Sequence, residues 1–138
     1  MIGFNEYIGW YEKTAADADN FTWTVAPDLA NKPLIVSEFG GGAKAGLHGP
    51  TSDADAQRWT EEFQANIYRH QIPMLHKIPN LRGTTPWILM DFRSPLRNLP
   101  GIQHGFNRKG LISDQGQKKA AFYILQQAYK DNALAHAD

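Results

Sequence analysis

Apolar positions along this chain fall into three short runs and two longer stripes. Ile2-Gly3-Phe4-Asn5-Glu6-Tyr7 predicts a strand over 2–7 at the start. Pro33-Leu34-Ile35-Val36-Ser37-Glu38 carries an apolar run straight into an acid, and Gly40-Gly41-Gly42 then breaks it. A short apolar run bounded by Pro and Gly predicts a strand covered on both faces, as in a parallel sheet. Thr85-Pro86-Trp87-Ile88-Leu89-Met90-Asp91 repeats the pattern, so the second and third strands are predicted over 34–38 and 85–91.

The stripes have the helical period. Ala56, Trp59, Phe63, Ile67 and His70 recur at spacings of three and four, predicting a helix over 53–71 with one core-facing side. Ser52 with Asp55 three residues later marks its start, and Pro73 is expected to end or kink it. A last helix is predicted over 117–130, with Ala121, Ile124, Leu125 and Ala128 inward. The mixed segment from Thr14 to Ala30 is expected to hold one or two short helices, so strand-then-helix order recurs three times and predicts an α/β fold with right-handed parallel connections.

Three parallel βα units make only part of a barrel, because closure of a TIM barrel takes eight strands with matched tilt and shear. Both sheet edges are left open, and such apolar strands cannot face water. The chain is therefore expected to be covered by further copies of itself, as a homo-oligomer, or by a complementing barrel segment.

Composition narrows the function classes. The 138 residues are one domain's worth, and 14 Lys+Arg against 14 Asp+Glu give no net charge. Without a basic run, neither nucleic acid nor an anionic membrane surface is an expected partner. The absence of cysteine excludes a disulfide framework and cysteine-ligated metal. Met1-Ile2-Gly3-Phe4 reads as neither a secretory signal nor a membrane anchor, which favours the cytoplasm. No His-x-x-x-His pair, acid-rich loop, phosphate-cradling glycine pattern or Gly-x-Ser-x-Gly elbow occurs, so neither metal, cofactor nor serine nucleophile is expected.

The chemistry-bearing feature is Glu38, an acid at the C-terminal tip of a buried strand, where α/β barrels place catalytic groups. Two long loops flank it. Gly40–Thr51 holds five glycines with Lys44 and His48, and the Pro- and Arg-rich stretch 93–108 is too long for a plain connector. Asp91, at the next predicted tip, is expected to be a structural partner for an arginine such as Arg93 or Arg82.

Four segments in order, Asn5-Glu6-Tyr7-Ile8-Gly9-Trp10-Tyr11, Ile35-Val36-Ser37-Glu38-Phe39-Gly40, Thr85-Pro86-Trp87-Ile88-Leu89-Met90-Asp91-Phe92 and Asn107-Arg108-Lys109-Gly110, resemble successive signatures of glycoside hydrolase family 2. That family contains the β-glucuronidases and β-galactosidases. The resemblance covers nearly the whole chain and implies the last three strand-helix units of the family's catalytic (β/α)8 barrel, a truncated segment filling 1–138.

It also implies roles. Glu38 matches the nucleophile of a retaining β-glycosidase, which needs an ionised carboxylate about 5 Å from a second carboxyl that acts as acid and then base. Trp87 matches an aromatic floor beneath the sugar, and Tyr7 and Tyr11 match aromatics beside the nucleophile. Asn107 and Lys109 match an Asn-x-Lys pair that binds the substrate carboxylate in the glucuronidases, a task suited to an ammonium beside an amide. The implied partner is a carbohydrate β-glycoside, leaning to a uronide. The family's acid/base glutamate lies on an earlier strand and has no counterpart in this chain. Glu6 is the candidate substitute, and His48 in its glycine loop is a further candidate substrate contact. Two other outcomes fit the residues: a promiscuous ester hydrolase using Glu38, His48 and tyrosines in an assembled partial barrel, and a non-catalytic oligomeric remnant.

Overall fold

A computed structural model describes residues 1–135. Its centre is a parallel sheet of β1 (Ile2–Glu6), β2 (Leu34–Phe39) and β3 (Leu81–Thr84), in that spatial order. Two helices, α1 (Glu61–His76) and α2 (Ala120–Ala135), pack on each other and cover one face. Leu34, Val36 and Phe39 of β2 enter a core with Ala65, Tyr68, Met74 and Leu75 of α1 and Ala121 and Leu125 of α2. On the opposite face Ser37 is exposed and Ile35 is half-buried between Gly3 and Gly83, and among the described residues neither α1 nor α2 packs there. The expectation of a strand covered on both faces is thus met on one face only.

The third strand differs from its prediction over 85–91. The sheet strand is Leu81–Thr84, a less apolar stretch just before it. Beyond Thr84 the chain still follows β2, through Thr85 N–H to Val36 O and Trp87 N–H to Phe39 O, both 2.9 Å. Pro86 between them has no N–H to offer. The chain then leaves β2 and pairs with 109–112 through Ile88 N–H to Lys109 O (3.1 Å) and Ile112 N–H to Leu89 O (2.9 Å). The apolar run is therefore split between two neighbours, and Leu89 and Met90 remain exposed.

Helix boundaries also shift. Ser52 opens only one 3₁₀ turn, Asp53–Asp55. Trp59 takes a φ of +77°, which an α-helix cannot contain, and α1 starts after it with the Thr60 hydroxyl accepting from Phe63 N–H at 3.2 Å. Pro73 lies inside α1, three residues before its end and on its exposed side, so the lost hydrogen bond falls in the final turn and does not stop the helix. Helix α2 begins at Ala120 rather than 117, because Gln117 O already accepts from Ser113 N–H at 2.8 Å and Lys118 bridges to Ile112. The long 93–108 loop is tied at its base by an antiparallel pair, β4 (Phe92–Arg93) with β5 (Phe106–Asn107).

Candidate active site

A bulge aims Glu38. Phe4 pairs with Val36 but Asn5 pairs with Glu38, so Ser37 is the extra residue and the carboxylate turns to the side of Asn5. Ser37 Oγ fills the irregularity, 3.0 Å from Phe4 O and 2.9 Å from Asn5 Oδ1. Immediately after, Gly40 has a φ of +115°, and any side chain there would strike the Tyr68 hydroxyl. The glycine break is thus a close approach of backbone to helix α1.

Glu38 Oε2 accepts from Tyr7 OH at 2.8 Å. Burial and this carboxylate both push the Tyr7 phenol above its ordinary range, so it stays a donor. Lys109 comes from the stretch after β5 and is 4% exposed. Its Nζ donates to Tyr11 OH at 2.8 Å and stands 4.1 Å from the Tyr7 ring centre and 4.3 Å from that of Tyr11. Burial holds the Lys109 ammonium below its usual pKa. Tyr11 also titrates low: burial alone would raise it, but the Lys109 ammonium overrides that. Asn107 Oδ1 accepts from Lys109 N–H at 3.0 Å, which leaves the Asn107 amide nitrogen as its free donor.

These groups line one open cleft of about 460 Å3, where Glu38, Tyr7, Tyr11, Trp87, Asn107 and Lys109 meet. The peptide after Trp87 is cis, and the indole stands edge-on to Phe92, ring centres 6.1 Å apart. Asn5, Phe92, Ser94 and Arg97 also face the cleft, and the sequence had not singled them out as site residues. Ser94 and Arg97 had a signal in the excess length of their loop, and Arg97 also in its Arg-rich composition.

Two candidates stand elsewhere. Glu6 sits one residue past the bulge pairing, on the other side of β1, where it is buried and accepts from Ile8 N–H at 2.7 Å. Burial raises its pKa, but it does not line the cleft. His48 is exposed and paired with Glu62 at 2.8 Å, which raises its pKa, and it too lies outside the cleft. Asp91 is a structural acid as expected, but with other partners. Its carboxylate meets Lys119 at 2.8 Å and Arg108 at 3.2 Å, not Arg93 or Arg82. Gln64 and Lys119 are among the buried polar residues that went unread; Gln64 donates to Gly41 O (2.9 Å) and Gly110 O (3.1 Å). A polar residue next to Phe63 in the buried stripe was its only signal.

No protein-family model matches the chain. Curated proteins do. The β-glucuronidase of Streptococcus agalactiae is 31% identical over 126 residues, 86% of this chain and 20% of the relative. That of Rattus norvegicus is 27% identical over 144 residues, 94% of this chain and 20% of the relative. In structure the chain is similar to Bacteroides uniformis β-glucuronidase, with TM-score 0.70 and 30% identity over 92% of this chain and 15% of that one. The chain is a relative of glycoside hydrolase family 2. Its fold also matches a GH2 β-galacturonidase from Eisenbergiella tayi bound to galacturonate, with TM-score 0.71 and 22% identity over 94% of this chain and 23% of that one. The chain spans about a fifth of the length of these curated family 2 relatives. Among the described residues, no helix is long and apolar enough to cross a membrane, and no cluster of His, Cys, Asp or Glu could hold a metal.

Proposed function

We propose that the cleft is the nucleophile half of a retaining β-glycosidase site that accepts a uronide. The observation that carries this reading is the meeting of a hydrogen-bonded carboxylate, Glu38, and a nearly buried ammonium, Lys109, in one cleft. Glu38 attacks the anomeric carbon; a glycosyl–oxygen bond forms to the carboxylate as the bond to the leaving group breaks. Tyr7 orients the attacking oxygens. Trp87 offers a flat face to the pyranose, and Lys109, Asn107 and Arg97 take the sugar carboxylate. The names of the relatives support the same substrate class.

Among the described residues lining the cleft, Glu38 is the only carboxylate. A retaining pair needs its second carboxyl about 5 Å away. That group is supplied by a second copy or by a complementing barrel segment, which also covers the open sheet face. Glu6 does not fill the role from its place behind the strand. The ester-hydrolase reading loses His48, which lies on Glu62 rather than beside Glu38.

The test uses a substrate that needs no protonated leaving group. A 2-deoxy-2-fluoro-glucuronyl fluoride should add one sugar mass to the protein, on the peptide carrying Glu38, and Glu38→Gln should show none. Labelling elsewhere, or equal labelling of Glu38→Gln, removes the proposal. Light scattering on the same sample gives the assembly; a compact monomer would rule out the second copy as supplier.

A further inference from the structure

We infer that the buried Asp91–Lys119 pair is a positioning device that fixes the backbone on both sides of Lys109 and thereby aims that ammonium into the cleft. For the ligand this rests on the proposed uronide reading; for the geometry it does not.

The pair is fully buried at both side chains. Lys119 has three hydrogens and three acceptors: Ala43 O at 2.6 Å, Asp91 Oδ1 at 2.8 Å and Arg108 O at 3.2 Å. Asp91 answers from the other side. Its Oδ1 also accepts from Gly110 N–H at 2.8 Å, and its Oδ2 accepts from Arg108 Nη1 at 3.2 Å. Three of these bonds therefore land on Arg108 and Gly110, the two neighbours of Lys109. Arg108 is held further by Asp114. Gly110 is required here, since a Cβ would collide with the Asp91 backbone amide and carboxylate.

The same device joins the two halves of the cleft. Ala43 N–H donates to Arg108 O at 3.0 Å, and Gln64 spans Gly41 O and Gly110 O. The loop that leaves Glu38 and the arm that carries Lys109 are thus bolted to each other. A buried ion pair is seldom the most stabilising filling of its space, because an apolar pair of similar volume does as well or better. What apolar side chains cannot do is hold Arg108 O and Gly110 N–H at fixed points.

The comparison is between wild type and Asp91→Asn/Lys119→Met, which removes both charges and leaves neither unpaired. Asp91→Asn alone is measured too where it folds. In the first readout, ¹³C-tyrosine NMR follows the Tyr11 titration, with Tyr11→Phe to assign the signal. Loss of aim separates Lys109 from Tyr11, so the phenol should move up towards its ordinary value. In the second, the labelling-rate ratio of 2-fluoro-glucuronyl to 2-fluoro-galactosyl fluoride should fall about tenfold, the effect of losing one charge-assisted hydrogen bond. A folded double variant with an unchanged Tyr11 titration overturns the inference, because a merely structural pair would leave Lys109 in place. A wild type with no preference for the glucuronyl probe fails the uronide reading instead, and the Tyr11 titration still decides the positioning.

Discussion

The tip of β2 and the stretch ending at Asp91 look alike in the sequence: an apolar run, then an acid. In the folded chain they differ in what remains for a ligand. Glu38 is half-buried, holds one phenol and faces an open cleft. Asp91 has no exposed side-chain surface, and both of its oxygens are taken by Lys119, Gly110 and Arg108. Glu6, the acid of the first run, is also committed, to Ile8 N–H. A carboxylate becomes a candidate reagent when the fold leaves its lone pairs unspent. The strand-tip pattern alone does not distinguish these cases.

Removing each acid in turn is the sharpest way to break that contrast. Asp91→Ala strands a buried lysine and should cost about 3–5 kcal/mol in denaturant unfolding, while Glu38→Gln should stay within about 0.5 kcal/mol. Equal losses would mean that Glu38, too, is a structural acid. A step smaller is Lys109→Ala. It should slow labelling by the glucuronyl fluoride roughly 10- to 100-fold, with little effect on the galactosyl probe. Parallel losses on both probes would assign Lys109 to the cleft's shape rather than to carboxylate recognition.

The smallest effect belongs to a charge outside the cleft. His70 sits between Asp19 (2.8 Å) and Asp53 (2.9 Å), and Lys77 donates to the Asp19 backbone carbonyl. Burial works against its charged form, but the two carboxylates outweigh it and raise the His70 pKa above 6.5. Its contribution to stability is then present in full below about 6.5, the unfolded value, and is lost as pH rises through the raised folded value. Exposure and screening limit it to about 0.5 kcal/mol. Urea midpoints at acid and alkaline pH should differ in wild type, and His70→Gln should remove that part of the difference without altering Glu38 labelling.

Periodicity found the two helices because burial on one side imposes the helical spacing on any chain, yet it missed their starts. Trp59 at positive φ and Thr60 as cap set the first boundary. At the second, Gln117 and Lys118 are drawn into pairing with Ser113 and Ile112. The third strand was misplaced for a related reason: an apolar run states that a segment is covered, not which neighbour it pairs with. In the cleft, Glu38, Tyr7, Tyr11, Trp87, Asn107 and Lys109 were legible through their motifs, while Arg97 was not, because an arginine in a polar loop has no local signature of where it points.

By itself, then, the sequence determined the class of the fold, the parallel order of its strands, its kinship and the acid at the tip of β2, since all of these are written in local runs and spacings. Only the tertiary structure decided which acids are spent and which faces the cleft, and that Lys119, Gln64 and Asp91 are buried against the two neighbours of Lys109. Hydrogen-bond saturation depends on residues brought together from distances such as Ala43 to Lys119, and no local pattern encodes that meeting.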